Sequence, residues 1–214
     1  MIHRSPSVRL PLVAFGFVLG AAVLAAAQDE GVKQVERLVN KANATVSAIG
    51  ETKLQLATTL EVYNSLLSDT AANRKDLYKK LQREMENTEK KRTEIATRRN
   101  EMDTEAQALF KSWADSAKDI SDPDLRKRSE ERLSKTKASY DEIATAGAKA
   151  TEMYGPVMKS LGDQVTYLGH DLNASAVASL KPNAAKLNTQ ADELARRIDD
   201  TMATANKTIS TLRP

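Results

Sequence analysis

Apolar residues recur along this chain at alternating steps of three and four. From Val32 the stripe reads Val32, Val35, Val39, Ala42, Val46, Ile49, Lys53, Leu56, Leu60, Tyr63 and Leu67, apolar or aromatic everywhere except Lys53. Such steps keep side chains on one face of a helix, and a 3.5-residue period is that of helices winding around one another. The segment "SLLSDTAANRK" then interrupts the pattern, with Ser68 or Asp69 available to cap the next helix. A second stripe runs through Leu81, Met85, Thr88, Arg92, Ile95, Arg99, Met102, Ala106, Leu109 and Trp113, and Thr88, Arg92 and Arg99 weaken its centre. At "SDPDL" a firm start follows, because Asp122 can cap and Pro123 suits a first helical position, where its missing N–H costs nothing.

The third stripe comprises Leu133, Thr136, Tyr140, Ile143, Gly147, Ala150, Tyr154, Val157, Leu161, Gln164 and Leu168. Gly155-Pro156 lies inside it without shifting its phase, which predicts a bend and not a loop. The helix is expected to end between Gly169 and Asn173, where Asn tolerates the left-handed turn that terminates helices. A fourth stripe holds Leu180, Ala184, Leu187, Ala191, Leu194, Ile198, Thr201, Ala205, Thr208 and Leu212, with Lys181-Pro182 marking either a first turn or a second kink. The predicted helices span about 30–68, 73–119, 123–169 and 174–212. At about 1.5 Å per residue they are on the order of 60 to 70 Å long. Short connections between helices of matched length predict an all-α fold, an elongated antiparallel four-helix bundle or coiled coil running up-down-up-down. A longer hairpin that packs fully only as a dimer would satisfy the same stripes.

Composition refines this picture mainly at the N-terminus. Arg4 and Arg9 precede Leu10–Ala27, an uncharged run ending in three alanines, which is the pattern of a secretory signal peptide cleaved after Ala27. The alternative is an uncleaved membrane anchor, since 18 apolar residues just suffice to span a bilayer. The expected domain plan is therefore a signal peptide at 1–27 and one elongated helical domain at 28–214. Without cysteine, that exported domain has neither disulfides nor thiolate metal sites and must be held by packing alone. Taking Arg4 and Arg9 from the 32 basic side chains leaves 30 against 29 acidic ones. The signs are mixed nearly everywhere, so nucleic acid is not expected as a partner. Between Asn73 and Asp103, ten basic and seven acidic residues fit a solvated face of ion pairs, with a docking face for an acidic partner or lipid headgroups as the weaker reading.

Candidate chemistry concentrates at one place. Asp163, Tyr167, His170 and Asp171 lie close together, and His170 is the only histidine beyond His3. Metal-dependent hydrolases built on His-Asp pairs need several histidines, and a helical di-iron site needs Glu-x-x-His pairs on facing helices. A serine nucleophile would need its strained turn, and nucleotide binding a glycine-rich loop; neither motif occurs. No catalytic, cofactor-binding or metal-binding residue is therefore assigned, and no enzyme activity is expected. His170 reads as a polar residue beside a helix end, favoured by the terminal carbonyls. The Asn-x-Ser/Thr triplets at Asn43, Asn173 and Asn206 are taken as chance.

The stretches "ALFKSWADSAKDISDPDLRKRSEERLSKTKASYDEI" and "GPVMKSLGDQVTYLGHDLNASAVASL" resemble the bacterial envelope family called domain of unknown function 2959. The resemblance covers about residues 105–205 and rests on Trp113, Arg128, Tyr140, Pro156 and above all the elements "DQV", "LGHDLNA" and "ASL". It implies an exported, helical protein without assigned catalytic residues. Many members carry a lipid-attachment cysteine after the signal, and this chain has Ala25–Ala27 instead. The expected role is a non-enzymatic periplasmic coiled-coil protein that is structural, scaffolding or partner-binding, through an envelope protein or self-association. A ligand- or lipid-binding bundle, opening along the polar seam of the second helix, is the alternative. Membrane contact is expected only peripherally or through an uncleaved N-terminal segment.

Overall fold

A computed structural model describes residues 18–68 and 73–212, with side chains from Glu30 onward. All four elements are α-helices: α1 (Val18–Leu67), α2 (Arg74–Lys118), α3 (Pro123–His170) and α4 (Ala174–Leu212). The first helix begins at Val18, twelve residues before the expected start near 30, because the alanine-rich run 21–27 continues the helical backbone without a break. Residues 1–17, including Arg4 and Arg9, lie outside the described residues, so the proposed leader is described only over its second half.

The caps explain where the other helices start. Asn73 caps α2, its side chain accepting from the Asp76 N–H at 3.3 Å, so neither Ser68 nor Asp69 has that role. Ser68 instead sits in the bend after α1, and Asp69 lies outside the described residues. Asp122 accepts from the N–H groups of Asp124 and Leu125 at 2.8 and 3.0 Å, with Pro123 in the first turn. The end of α3 departs from expectation: Asp171 is extended (φ −154°, ψ 119°), and no described residue has a positive φ. Asn173 belongs to the next helix, accepting from the Ala176 N–H at 2.8 Å. An extended residue followed by an Asn cap turns the chain without a left-handed residue. Pro156 and Pro182 both lie inside continuous helices, and Tyr154, Val157 and Leu161 stay buried around the first.

Cross-helix contacts arrange these elements as a bundle. Arg37 meets Glu105, Lys41 meets Glu101, and Glu51 meets Lys91, so numbers fall along α2 as they rise along α1. The same reversal relates α2 to α3 through Trp113–Ser129, Asp103–Tyr140 and Tyr78–Val165. It relates α1 to α4 through Lys53–Asp199 and Asn64–Asn188. Between α1 and α3 both numbers rise: Tyr154 donates to the Ile49 carbonyl at 3.3 Å, and Tyr63 to the Gln164 side chain.

The stripes of α3 and α4 are buried nearly throughout, with Val165, Ala176, Val177 and Ile209 added. On α1 the buried face is wider than the stripe, while Val32 is 39% exposed. Leu38, Thr45, Thr52, Thr59 and Leu66, spaced seven apart, form a second buried line. Each of its threonines donates back to the carbonyl four residues earlier, at 3.0, 2.7 and 2.9 Å, which is how a polar side chain can be buried there. On α2, Leu81, Thr88, Ile95, Met102 and Leu109 form one fully buried line, whereas Arg92 and Arg99 are only partly buried. The Thr59 and Thr88 hydroxyls meet at 2.8 Å between α1 and α2.

The core falls into two clusters. One includes Leu38, Met102, Phe110, Tyr140 and Ile209; the other includes Leu56, Tyr63, Leu161, Leu168 and Leu187. Met202 touches both. At this level a Cβ on Gly50 would stand 3.1 Å from the Met202 methyl, and one on Gly147 3.2 Å from the Arg99 Cδ. Two long linear side chains thus lie over two glycines where the clusters meet.

Thr59→Val or Thr88→Val alone is expected to lower unfolding stability by about 0.5–1.5 kcal/mol by removing the hydrogen bond across the seam, the facing hydroxyl keeping a carbonyl acceptor. The double variant should lose less than the two singles together, which a denaturant double-mutant cycle measures; strict additivity would dismiss the pair as a coupled contact.

Candidate functional site

The residues with the most chemical potential do not converge. Asp163 is ion-paired with Lys159 at 2.9 Å on an exposed face. The Tyr167 hydroxyl lies 3.2 Å from the Ser179 Oγ, with the residue 46% exposed. His170 is the exposed last residue of α3, and Asp171 accepts from the Asn173 backbone and side-chain nitrogens at 2.9 and 2.7 Å. No hydrogen bond joins His170 to Asp163 or Tyr167. These groups therefore act as helix ends and surface pairs, and the Asp171–Asn173 contact shapes the connection to α4. Among the described residues, no group of three or more His, Asp or Glu side chains is placed to hold a metal ion.

Buried polar groups serve helix-to-helix contacts. Burial pushes the Tyr63 and Tyr154 hydroxyls well above the ordinary tyrosine range. Tyr140 shifts the same way, first through burial and then through its 2.6 Å hydrogen bond to Asp103. Trp113 donates its indole N–H to the Ser129 Oγ at 2.9 Å, tying the end of α2 to the start of α3. Phe110 meets Tyr140 edge-on at 5.6 Å, with the Lys137 ammonium 5.5 Å from the Phe110 ring centre.

The charged centre of α2 is laced to α1 by ion pairs. Glu51, Lys91, Glu94, Arg98, Glu101 and Lys41 form one continuous ion-pair ladder that starts and ends on α1, with links of 2.6 to 3.4 Å. The hydrogen bond to Glu51 raises the Lys91 pKa, that from Lys91 lowers Glu94, and that from Lys41 lowers Glu101. Arg92 pairs with Glu89, and Arg99 lies over Gly147. Each exposed link contributes little alone, but shared partners fix the side chains along the seam.

An opening appears between α1 and α4. A groove of ≈ 730 Å³ is lined by Leu56, Leu60, Leu194 and Ile198 from the core, with the small Ala57 and Ala195 beside them. Lys53–Asp199 at 2.5 Å bridges one end and the reciprocal Asn64–Asn188 amide pair at 3.2 and 3.0 Å the other. Leu54, 65% exposed, also lines it. The sequence stripes omit this feature, because Leu54, Ala57 and Ala195 stand off them. An apolar residue outside the stripe beside a small one was the available signal.

Tyrosines whose folded pKa is raised favour the folded state fully below their ordinary value of about 10 and lose that contribution as pH rises past it. Alkaline titration should therefore show ionisation of Tyr63, Tyr140 and Tyr154 together with unfolding, read by tyrosinate absorbance and circular dichroism. Ionisation of all five tyrosines near pH 10 with the helices intact would contradict these burials.

Compared with known proteins, the chain matches the family described as "Protein of unknown function (DUF2959)" over residues 24–212, well beyond the 105–205 stretch that carries the resemblance. No curated protein and no solved structure matches it. Among the described residues no helix is long and apolar enough to cross a membrane.

Proposed function

The chain belongs to the DUF2959 family of proteins of unknown function, and from its geometry we propose a non-enzymatic protein of the bacterial cell envelope. It is exported to the periplasm and serves as an elongated coiled-coil scaffold that spaces or docks partner proteins. In this reading the helices form an antiparallel up-down-up-down bundle, which the reversed contact order between neighbours supports. The observation that carries the proposal is the use made of polar groups. Interior hydroxyls join helices to one another, as in Tyr63–Gln164 and Thr59–Thr88, while Asp163, Tyr167 and His170 lie along one exposed face of α3 with no hydrogen bond among them. Such an arrangement invests its chemistry in shape and presents a long charged exterior to other molecules.

A second reading, a lipid-binding bundle, draws on the α1–α4 groove, whose floor is the hydrophobic core itself. An acyl chain suits an apolar slot of this volume. In this reading the lipid enters between α1 and α4.

Crosslinking in living cells with a photoreactive residue at exposed positions such as Tyr167 should trap a discrete envelope protein or a second copy; absence of any adduct from every face would count against a scaffold. Native mass spectrometry of the purified protein separates the readings, since a lipid carrier should retain a bound lipid. Fractionation of cells expressing the full chain is expected to recover it in the periplasm, shortened after Ala27. Recovery in the cytoplasm would end the export proposal.

A further inference from the structure

At the end of the bundle, the four helices enclose a smaller space of a different character. This pocket of ≈ 220 Å³ takes walls from all four: Val35 of α1, Trp113 of α2, Arg132, Lys135 and Thr136 of α3, and Leu212 of α4. Its lining pairs apolar surface from Val35, Trp113 and Leu212 with two cations from one helix. Trp113 is the sole tryptophan of the chain, and its hydrogen bond to Ser129 fixes the ring against α3.

The two cations share one wall of this pocket. Arg132 and Lys135 stand three residues apart on one helix, where like charges repel mildly. Glu131 is placed four residues before Lys135, the favourable order for a helical ion pair. The pair is not formed, and Lys135 lies along the pocket wall instead. Neither Arg132 nor Lys135 makes an ion pair among the described residues, a state they share with other exposed cations such as Lys79 and Lys80; what sets them apart is that both line one pocket with Trp113.

We infer that this end pocket binds a small amphiphilic anion, its apolar part against Trp113, Val35 and Leu212 and its anionic head between Arg132 and Lys135. The volume sets the size class. Pockets for drug-sized ligands run from about 300 Å³ upward, so this one takes a short acyl chain or a single ring. A guanidinium can grip a carboxylate or phosphate head through two parallel hydrogen bonds, and the lysine adds a third donor and a second positive charge. A cationic or uncharged head of the same length would leave both basic groups without a partner. The inference does not depend on the scaffold reading, since it concerns only the bundle end.

Trp113 supplies its own reporter. Titrating the full chain with hexanoate should give a saturable change in tryptophan emission, with a Kd of about millimolar order as befits so few ligand atoms. Hexylphosphate should behave similarly and hexylamine should give no saturable change. The exposed double variant Arg132→Gln/Lys135→Gln should weaken hexanoate binding at least tenfold. A control that removes two equally exposed cations on α2, Lys79→Gln/Lys80→Gln, should leave it within twofold. Both variants change exposed side chains, and unaltered melting by circular dichroism confirms that the fold is retained. No saturable response to either anion, an equal response to hexylamine, or undiminished affinity in the Arg132/Lys135 variant would overturn the assignment.

Discussion

The close approach of α1 and α2 depends on threonine hydroxyls that find an acceptor within their own helix. Thr45, Thr52, Thr59 and Thr88 are buried at or near zero exposure, in positions that a leucine would ordinarily fill. Thr45, Thr52 and Thr59 each return their proton to the carbonyl four residues earlier, which leaves the Thr88 hydroxyl to donate across the seam to the Thr59 oxygen. A β-branched residue of this size also projects less than leucine, and α1 and α2 can approach until Thr59 and Thr88 touch. The ion-pair ladder from Glu51 to Lys41 then runs along the side of a seam already closed by small side chains.

That device also decides what a reader of the sequence can see. On α3 and α4 the seams are apolar, and counting threes and fours recovers them from Leu133 to Leu168 and from Leu180 to Leu212. On α1 the same counting recovers only one side of the buried face, because Thr45, Thr52 and Thr59 register as polar although they are buried as fully as Ile49. Arg92 and Arg99 mislead in the opposite direction: they sit on the stripe, yet Arg92 turns to pair with Glu89, and the stem of Arg99 lies over Gly147 with its Nε buried. At Asp171–Asn173 the helix boundaries fall where expected, but an extended Asp171 and an Asn173 cap replace the left-handed residue, since Asn can either end a helix or begin one and only the backbone distinguishes the two roles.

Legibility of the candidate sites is lower still. Asp163, Tyr167 and His170 attract notice because of their residue types, and the fold disperses them along an exposed face. The α1–α4 groove and the end pocket arise from residues more than a hundred positions apart, such as Leu54 with Ala195 and Val35 with Leu212. No periodicity connects such pairs. They become neighbours only after the helices have been laid side by side.

The two glycines under Arg99 and Met202 have a consequence for how the molecule comes apart. Where the core clusters adjoin, unbranched chains with several rotatable bonds replace interlocking branched ones, and such chains can re-settle without breaking their neighbours' packing. Two clusters joined by such chains are expected to open as separate cooperative blocks, each with its own rate of amide exchange.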